Sequence, residues 1–196
     1  MMKRAGIVHR KTKETDIRVN LDLDGGGRAS VDTGIGFLDH MLELFACHGL
    51  FDLEVKASGD RHVDDHHIVE DLGLCLGESL LKALGKKKGI RRYGFAIVPM
   101  DEALAMACLD ISGRPGLVFN VKTRRRKIKD FDLALFEDFF KAISNTARMT
   151  VHIRREAGDD PHHVYESVFK AFGRALDAAT AIDERVKGVP STKGII

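Results

Sequence analysis

The chain has 196 residues, 44% of them hydrophobic, with 31 basic and 29 acidic side chains and a formal charge of +2. That is enough chain for one sizeable domain with its own core, and the charge balance excludes the strongly basic character of a dedicated nucleic-acid binder. No apolar run approaches the roughly 20 residues of a membrane span, the Met-Met-Lys-Arg start leads into polar sequence, and the scattered Cys47, Cys75 and Cys108 read as buried free thiols of a reducing compartment, so the cytoplasm is expected.

In chain order, a first strand is expected near 5–9. Ile17, Val19, Leu21 and Leu23 then alternate with polar neighbours, Gly25-Gly26-Gly27 interrupts, and Ala29 and Val31 resume the alternation, a pattern that reads as a hairpin. Phe37, Met41, Leu44 and Phe45 at helical spacing predict a helix over 37–47. Leu53, Val55 and Ala57 mark a strand, and Ile68, Leu72, Cys75, Leu76 and Leu80 a second helix ending near Gly85. The first half therefore reads βββαβα.

Strands near 95–98, 104–111 and 117–121, a helix over about 133–147, a strand near 150–154 and a helix over about 161–181 repeat that order. Arg124-Arg125-Arg126-Lys127 reads as a solvated strand end or loop, because no aromatic side chains interleave with it as stacking platforms. The expected fold class is α+β, a two-layer α/β sandwich made of duplicated βββαβα halves. They span about 1–90 and 91–187 of one domain, followed by an aperiodic tail, 188–196.

The duplication extends to chemistry. His66-His67-Ile68-Val69-Glu70 matches His162-His163-Val164-Tyr165-Glu166 at an offset of 96, and each follows an acidic, glycine-containing loop, Gly59-Asp60 or Gly158-Asp159-Asp160. On a helix, Glu70 lies on the same face as both of its histidines while the two rings diverge by about 100°, an arrangement suited to two different metal ions. Asp160-Pro161 has the form of an N-cap with proline at the first helical position, and Asp64 or Asp65 can cap the other helix. The histidines then sit in the first turn, where the helix dipole favours the neutral ring that a metal requires. Nitrogen and carboxylate donors without thiolate suit manganese, iron, zinc or cobalt.

His40 lies 26 residues before His66 on the preceding helix, and the symmetric region of the second half holds Glu137 and Asp138, either of which is able to ligate or simply to face solvent. His9, His48, His62 and His152 read as structural or surface groups, with His152, on a strand face, the nearest to mattering.

Phe37-Leu38-Asp39-His40-Met41, the 64–71 segment, Ser112-Gly113-Arg114-Pro115, the 158–166 segment and Ser191-Thr192-Lys193-Gly194 occur in order. Together they resemble the imidazoleglycerol-phosphate dehydratase family of histidine biosynthesis, in its monofunctional form, over nearly the whole chain. The resemblance implies a left-handed crossover fold like the second domain of ribosomal protein S5, a 24-subunit shell, and two Mn(II) per active site lying between subunits. By the same resemblance the ligands are His40, His66, His67, Glu70, His162, His163 and Glu166, with Asp138 where the family often has histidine. It implies Glu14 and Glu166 as proton-transfer groups, Asp101 as a weaker candidate, and Arg92, Arg114, Lys170, Ser191, Thr192 and Lys193, with Glu14, as substrate and phosphate contacts. The reaction would be loss of water from imidazole glycerol phosphate to give imidazole acetol phosphate. Two competing readings are a two-metal phosphoester hydrolase, disfavoured by the lack of aspartate-rich motifs, and a non-enzymatic metal-binding shell protein.

Overall fold

The alternation at 17–23 is that of a strand with one face on a core: Ile17, Val19, Leu21 and Leu23 are all buried. In the computed structural model, which describes residues 3–196, the first half contains β1 (Ala5–Lys11), β2 (Thr15–Asp22), β3 (Ala29–Asp32), α1 (Gly36–Gly49), β4 (Asp52–Gly59) and α2 (His66–Leu84). The second contains β5 (Tyr93–Met100), β6 (Ala103–Asp110), β7 (Gly116–Asn120), α3 (Leu135–Ala147), β10 (Thr150–Ala157) and α4 (Pro161–Thr180). Between β7 and α3 lies a small hairpin, β8 (Lys127–Ile128) and β9 (Phe131–Asp132), which periodicity does not disclose because two-residue strands have no period to read.

The two sheets have the same topology, β1-β2-β4-β3 and β5-β6-β10-β7, each with one parallel pair, β3 with β4 and β7 with β10. This corrects the hairpin expected across Gly25-Gly26-Gly27. β2 pairs with β1 on one side and with β4 on the other, so β4 lies between β2 and β3. Asp52, at the start of β4, organises the crossing: its carboxylate accepts from the Gly26 and Arg28 amides and pairs with the Arg28 guanidinium. Alternation reports which face of a strand is buried and is silent about its partner.

Helices cover the inner face of each sheet, and the halves meet helix to helix, α1 on α4 and α2 on α3. Phe45, Phe136, Phe139, Phe140, Phe169 and Phe172, all buried, help fill the shared core. Two glycines 96 positions apart bring facing helices into close approach. A Cβ on Gly173 would stand 2.6 Å from the Phe45 carbonyl oxygen in α1, and one on Gly77 would stand 2.8 Å from the Ile143 carbonyl oxygen in α3. Only a residue without a side chain lets the backbones come this near.

The outer faces of the sheets differ. Arg18, Glu54 and Lys56 project from the first, whereas Tyr93, Phe95 and Ile97 lie largely exposed on the second, beside Cys108 and His152. Cys75 is buried as expected, but Cys47 and Cys108 are exposed, because an apolar neighbourhood in sequence does not say which way a residue points. None of the described helices is long and apolar enough to cross a membrane.

Replacing Gly173 by Ala is expected to lower the unfolding free energy by about 1–3 kcal/mol through overpacking. Gly26→Ala, whose Cβ would meet nothing within 4 Å, should stay within about 0.5 kcal/mol of wild type. Urea denaturation of the two variants measures both.

Candidate functional site

Both histidine pairs open a helix. At α4 the Asp160 side chain caps the helix by accepting from the His162 amide at 2.8 Å, with Pro161 following. At α2 the accepting carboxylate is that of Asp64, also at 2.8 Å from the His66 amide, while Asp65 instead takes Arg61 Nε at 2.9 Å. Within each pair the rings stand nearly perpendicular, at 83° for His66 and His67 and 87° for His162 and His163. Adjacent histidines are thereby committed to different surroundings.

The first member of each pair meets a side chain from the other half of the chain. His40, on α1, and His162, on α4, place their Nε2 atoms 3.1 and 3.0 Å from the same Glu166 oxygen, and the three donor atoms lie within 4.8 Å of one another. The second Glu166 oxygen accepts from Lys170 Nζ at 2.7 Å. Burial works to raise the Glu166 pKa, but the Lys170 and His40 hydrogen bonds and charges outweigh it and bring it down to about 2. The symmetric cluster is looser: His66 Nδ1 is 3.9 Å from Asp138 of α3, and His66 Nε2 is 3.5 Å from Glu70. Of the two acids considered on α3, Asp138 is the one that faces a histidine.

His67 and His163 turn away to carboxylates that residue spacing did not single out as histidine partners. His67 Nδ1 lies 3.1 Å from both oxygens of Asp60, whose hydrogen bond, against some burial and with the Glu14 field assisting, raises the ring's pKa. His163 Nδ1 lies 2.8 Å from Glu102, which raises its pKa in the same way and is itself lowered to about 2. Asp101 stands 4.0 Å from His163 Nε2. The available signal was that Asp60 lies in the acidic Gly59-Asp60 loop already noted, and that Glu102 directly follows Asp101.

The cationic candidates divide into two places. Lys170 lies at the Glu166 cluster, 3.1 Å from Met100 Sδ. Arg92 is anchored by Asp110, at 2.7 Å, and by the Pro190 carbonyl at 2.9 Å, and Arg114 approaches the same aspartate at 4.0 Å. Ser191, Thr192 and Lys193 form the adjoining turn, in which the Lys193 amide donates to Ser191 Oγ at 3.1 Å. The Arg92 amide donates to the carbonyl of Ala179, about 14 Å along α4 from Lys170.

A model of the imidazoleglycerol-phosphate dehydratase family matches residues 33–176. The chain belongs to that family. Two relatives that bear the family's name are similar over nearly their whole length: one from Burkholderia multivorans is 57% identical over 192 residues, covering 97% of this chain and 98% of the relative, and one from Acetivibrio thermocellus is 52% identical over 195 residues, covering all of both. Among crystal structures, imidazoleglycerol-phosphate dehydratase from Staphylococcus aureus superposes with a TM-score of 0.82 at 40% identity, covering 91% of this chain and 99% of that one. The Pyrococcus furiosus enzyme, in complex with (S)-C348, does so with 0.83 at 36%, covering 96% and 100%. As a member of this family the chain is a hydro-lyase of histidine biosynthesis.

Because Glu166 and Glu102 titrate below their ordinary 4.5, the stability they contribute is complete above about pH 4.5 and is lost as pH falls toward 2. His67 and His163, raised above 6.5, contribute in the opposite sense: fully below 6.5, and less as pH rises through their folded values. Metal-free protein should therefore be most stable between these limits, and Glu166→Gln should flatten the acid limb in a pH series of thermal melts.

Proposed function

We propose that the family's reaction, conversion of imidazole glycerol phosphate to imidazole acetol phosphate and water, is carried out here at two metal centres completed between copies of the chain. The observation that carries the reading is the cluster of His40, His162 and Glu166, two imidazole nitrogens and a carboxylate within 4.8 Å. That donor set fits a divalent cation such as Mn(II), and Glu70, His66 and Asp138 offer the counterpart. Each cluster supplies three donors where a catalytic ion uses four to six. His67 and His163, each held at Nδ1 and with Nε2 available, are the natural further ligands for clusters on neighbouring copies.

Self-association into the 24-subunit shell expected of the family is supported by the exposed apolar side chains Tyr93, Phe95 and Ile97. It is also supported by the separation of Arg92 and Arg114 from Lys170, which one chain does not bring to a single phosphate. Three free cysteines favour a reducing compartment such as the cytoplasm.

The reaction removes a C–H proton and a hydroxyl group from neighbouring carbons, yielding an enol that becomes the ketone. No carbonyl stands beside that C–H bond. Metal ions would supply Lewis-acid charge that holds and polarises the imidazole ring, allowing it to take up the electrons. Glu14 is the better placed base: it lies on the β1–β2 turn in the field of His67, and its carboxylate has no hydrogen bond or ion pair among the described residues. Glu166, buried and kept ionised by Lys170, suits ligation. Asp101, beside His163, remains the candidate acid for the departing hydroxyl. Arg92, Arg114, Lys170 and the 191–193 turn would bind phosphate from different copies.

Mn(II)-loaded protein given imidazole glycerol phosphate should form ketone without releasing inorganic phosphate; phosphate release without ketone would instead mark a hydrolase. Glu14→Gln should retain metal and lose about 10²–10⁴ in kcat, whereas His67→Ala should lose stoichiometric metal. An active monomer in light scattering would overturn the shared site.

A further inference from the structure

The two histidines that each chain turns away from its own clusters are not held alike. His67 meets Asp60 in a forked contact, 3.1 Å to either oxygen. Glu102 holds His163 through one shorter bond, Nδ1 to Oε2 at 2.8 Å, and its other oxygen accepts the backbone amide of Asp160, the residue that caps α4, at 3.1 Å. One side chain thus ties the β5–β6 turn both to the start of α4 and to the imidazole that the helix presents. An ionised carboxylate has no proton to give, so His163 Nδ1 is the donor in this bond and its remaining nitrogen, Nε2, carries the lone pair.

We infer that Glu102 is a positioning residue for metal binding: it fixes the tautomer and direction of His163 so that Nε2 is presented, already oriented, to a divalent cation. The inference rests on the proposed metal reading and extends it to a carboxylate that ligates nothing itself. A carboxylate behind an imidazole also increases the basicity of the ligating nitrogen, and losing such a partner typically costs ten- to a hundredfold in metal affinity. Anchoring by the Asp160 amide makes the Glu102 arm more rigid than the Asp60 arm, so the two centres respond unequally to loss of their carboxylates.

The test is calorimetric titration of the assembled, metal-stripped protein with Mn(II). Glu102→Gln keeps the size of the side chain but loses its charge. It is expected to weaken one class of Mn(II) sites ten- to a hundredfold, and by more than Asp60→Asn weakens the other, while the melting temperature of the metal-free protein stays close to wild type. In the metal-free wild type the ring nitrogen shifts of His163 should report the tautomer protonated at Nδ1, and in Glu102→Gln that preference should weaken. An unchanged tautomer beside lowered affinity would assign Glu102 a merely structural role and overturn the inference, as would wild-type affinity in Glu102→Gln. Should Glu102→Gln melt early, Glu102→Asp serves in its place, since a shortened carboxylate keeps the charge but falls short of Nδ1; wild-type affinity in it would equally overturn the inference. A wild-type protein that takes up no Mn(II) would bring down the metal reading itself, an outcome distinct from a wild type that binds and a variant that binds as well.

Discussion

The close approach of α4 to α1, with Gly173 against the Phe45 carbonyl, and its counterpart at Gly77 and Ile143 govern what the rest of the molecule is able to do. Helices usually pack with axes 8–10 Å apart, the distance depending on the side chains between them. Removing a side chain at the crossing draws the axes together. His40 then meets His162 and Glu166, and Asp138 approaches His66, over distances that imidazole and carboxylate groups are able to span. The site is in this sense a product of core packing. The aromatic cluster around Phe136, Phe140 and Phe169 keeps the two helix pairs from sliding.

Within that frame the electrostatics are uneven by design of the sequence. Glu166 is buried and compensated by Lys170, whereas Glu70 is exposed and the residue one turn beyond it is Leu74, which offers no charge. Burial alone would favour a protonated Glu166, and Lys170 together with His40 keeps the carboxylate in the anionic form. The two halves share one fold and hold their acids in different environments.

Much of this was legible before any coordinates. The 3.6 and 2.0 periodicities located the helices of both halves and every strand but the two-residue β8 and β9, and the 96-residue offset located the paired histidines. What escaped was whatever depends on partners distant in sequence. Gly25-Gly26-Gly27 looked like a hairpin turn because alternation cannot announce that β4 will insert between β2 and β3. Cys47 and Cys108 looked buried because apolar neighbours do not determine direction. Glu102 went unnoticed beside the more conspicuous Asp101, since its role exists only once the β5–β6 turn reaches the start of α4. The exchange by which α1 serves α4, and α3 serves α2, has no local signature at all.

That exchange bears on how such a chain came about. A half-length ancestor with the βββαβα order would have had to pair with a second copy of itself to bring its α1 histidine to the histidines of the other copy's final helix, forming a twofold dimer with two identical sites. Fusion removed the dependence of that pairing on concentration and released the two sites from identity. One was then free to acquire Lys170 while it kept the α1 histidine at position 40, and the other to hold Leu74 and to exchange its α1 histidine for Asp138. The present asymmetry is the mark of a symmetric dimer that became a single molecule.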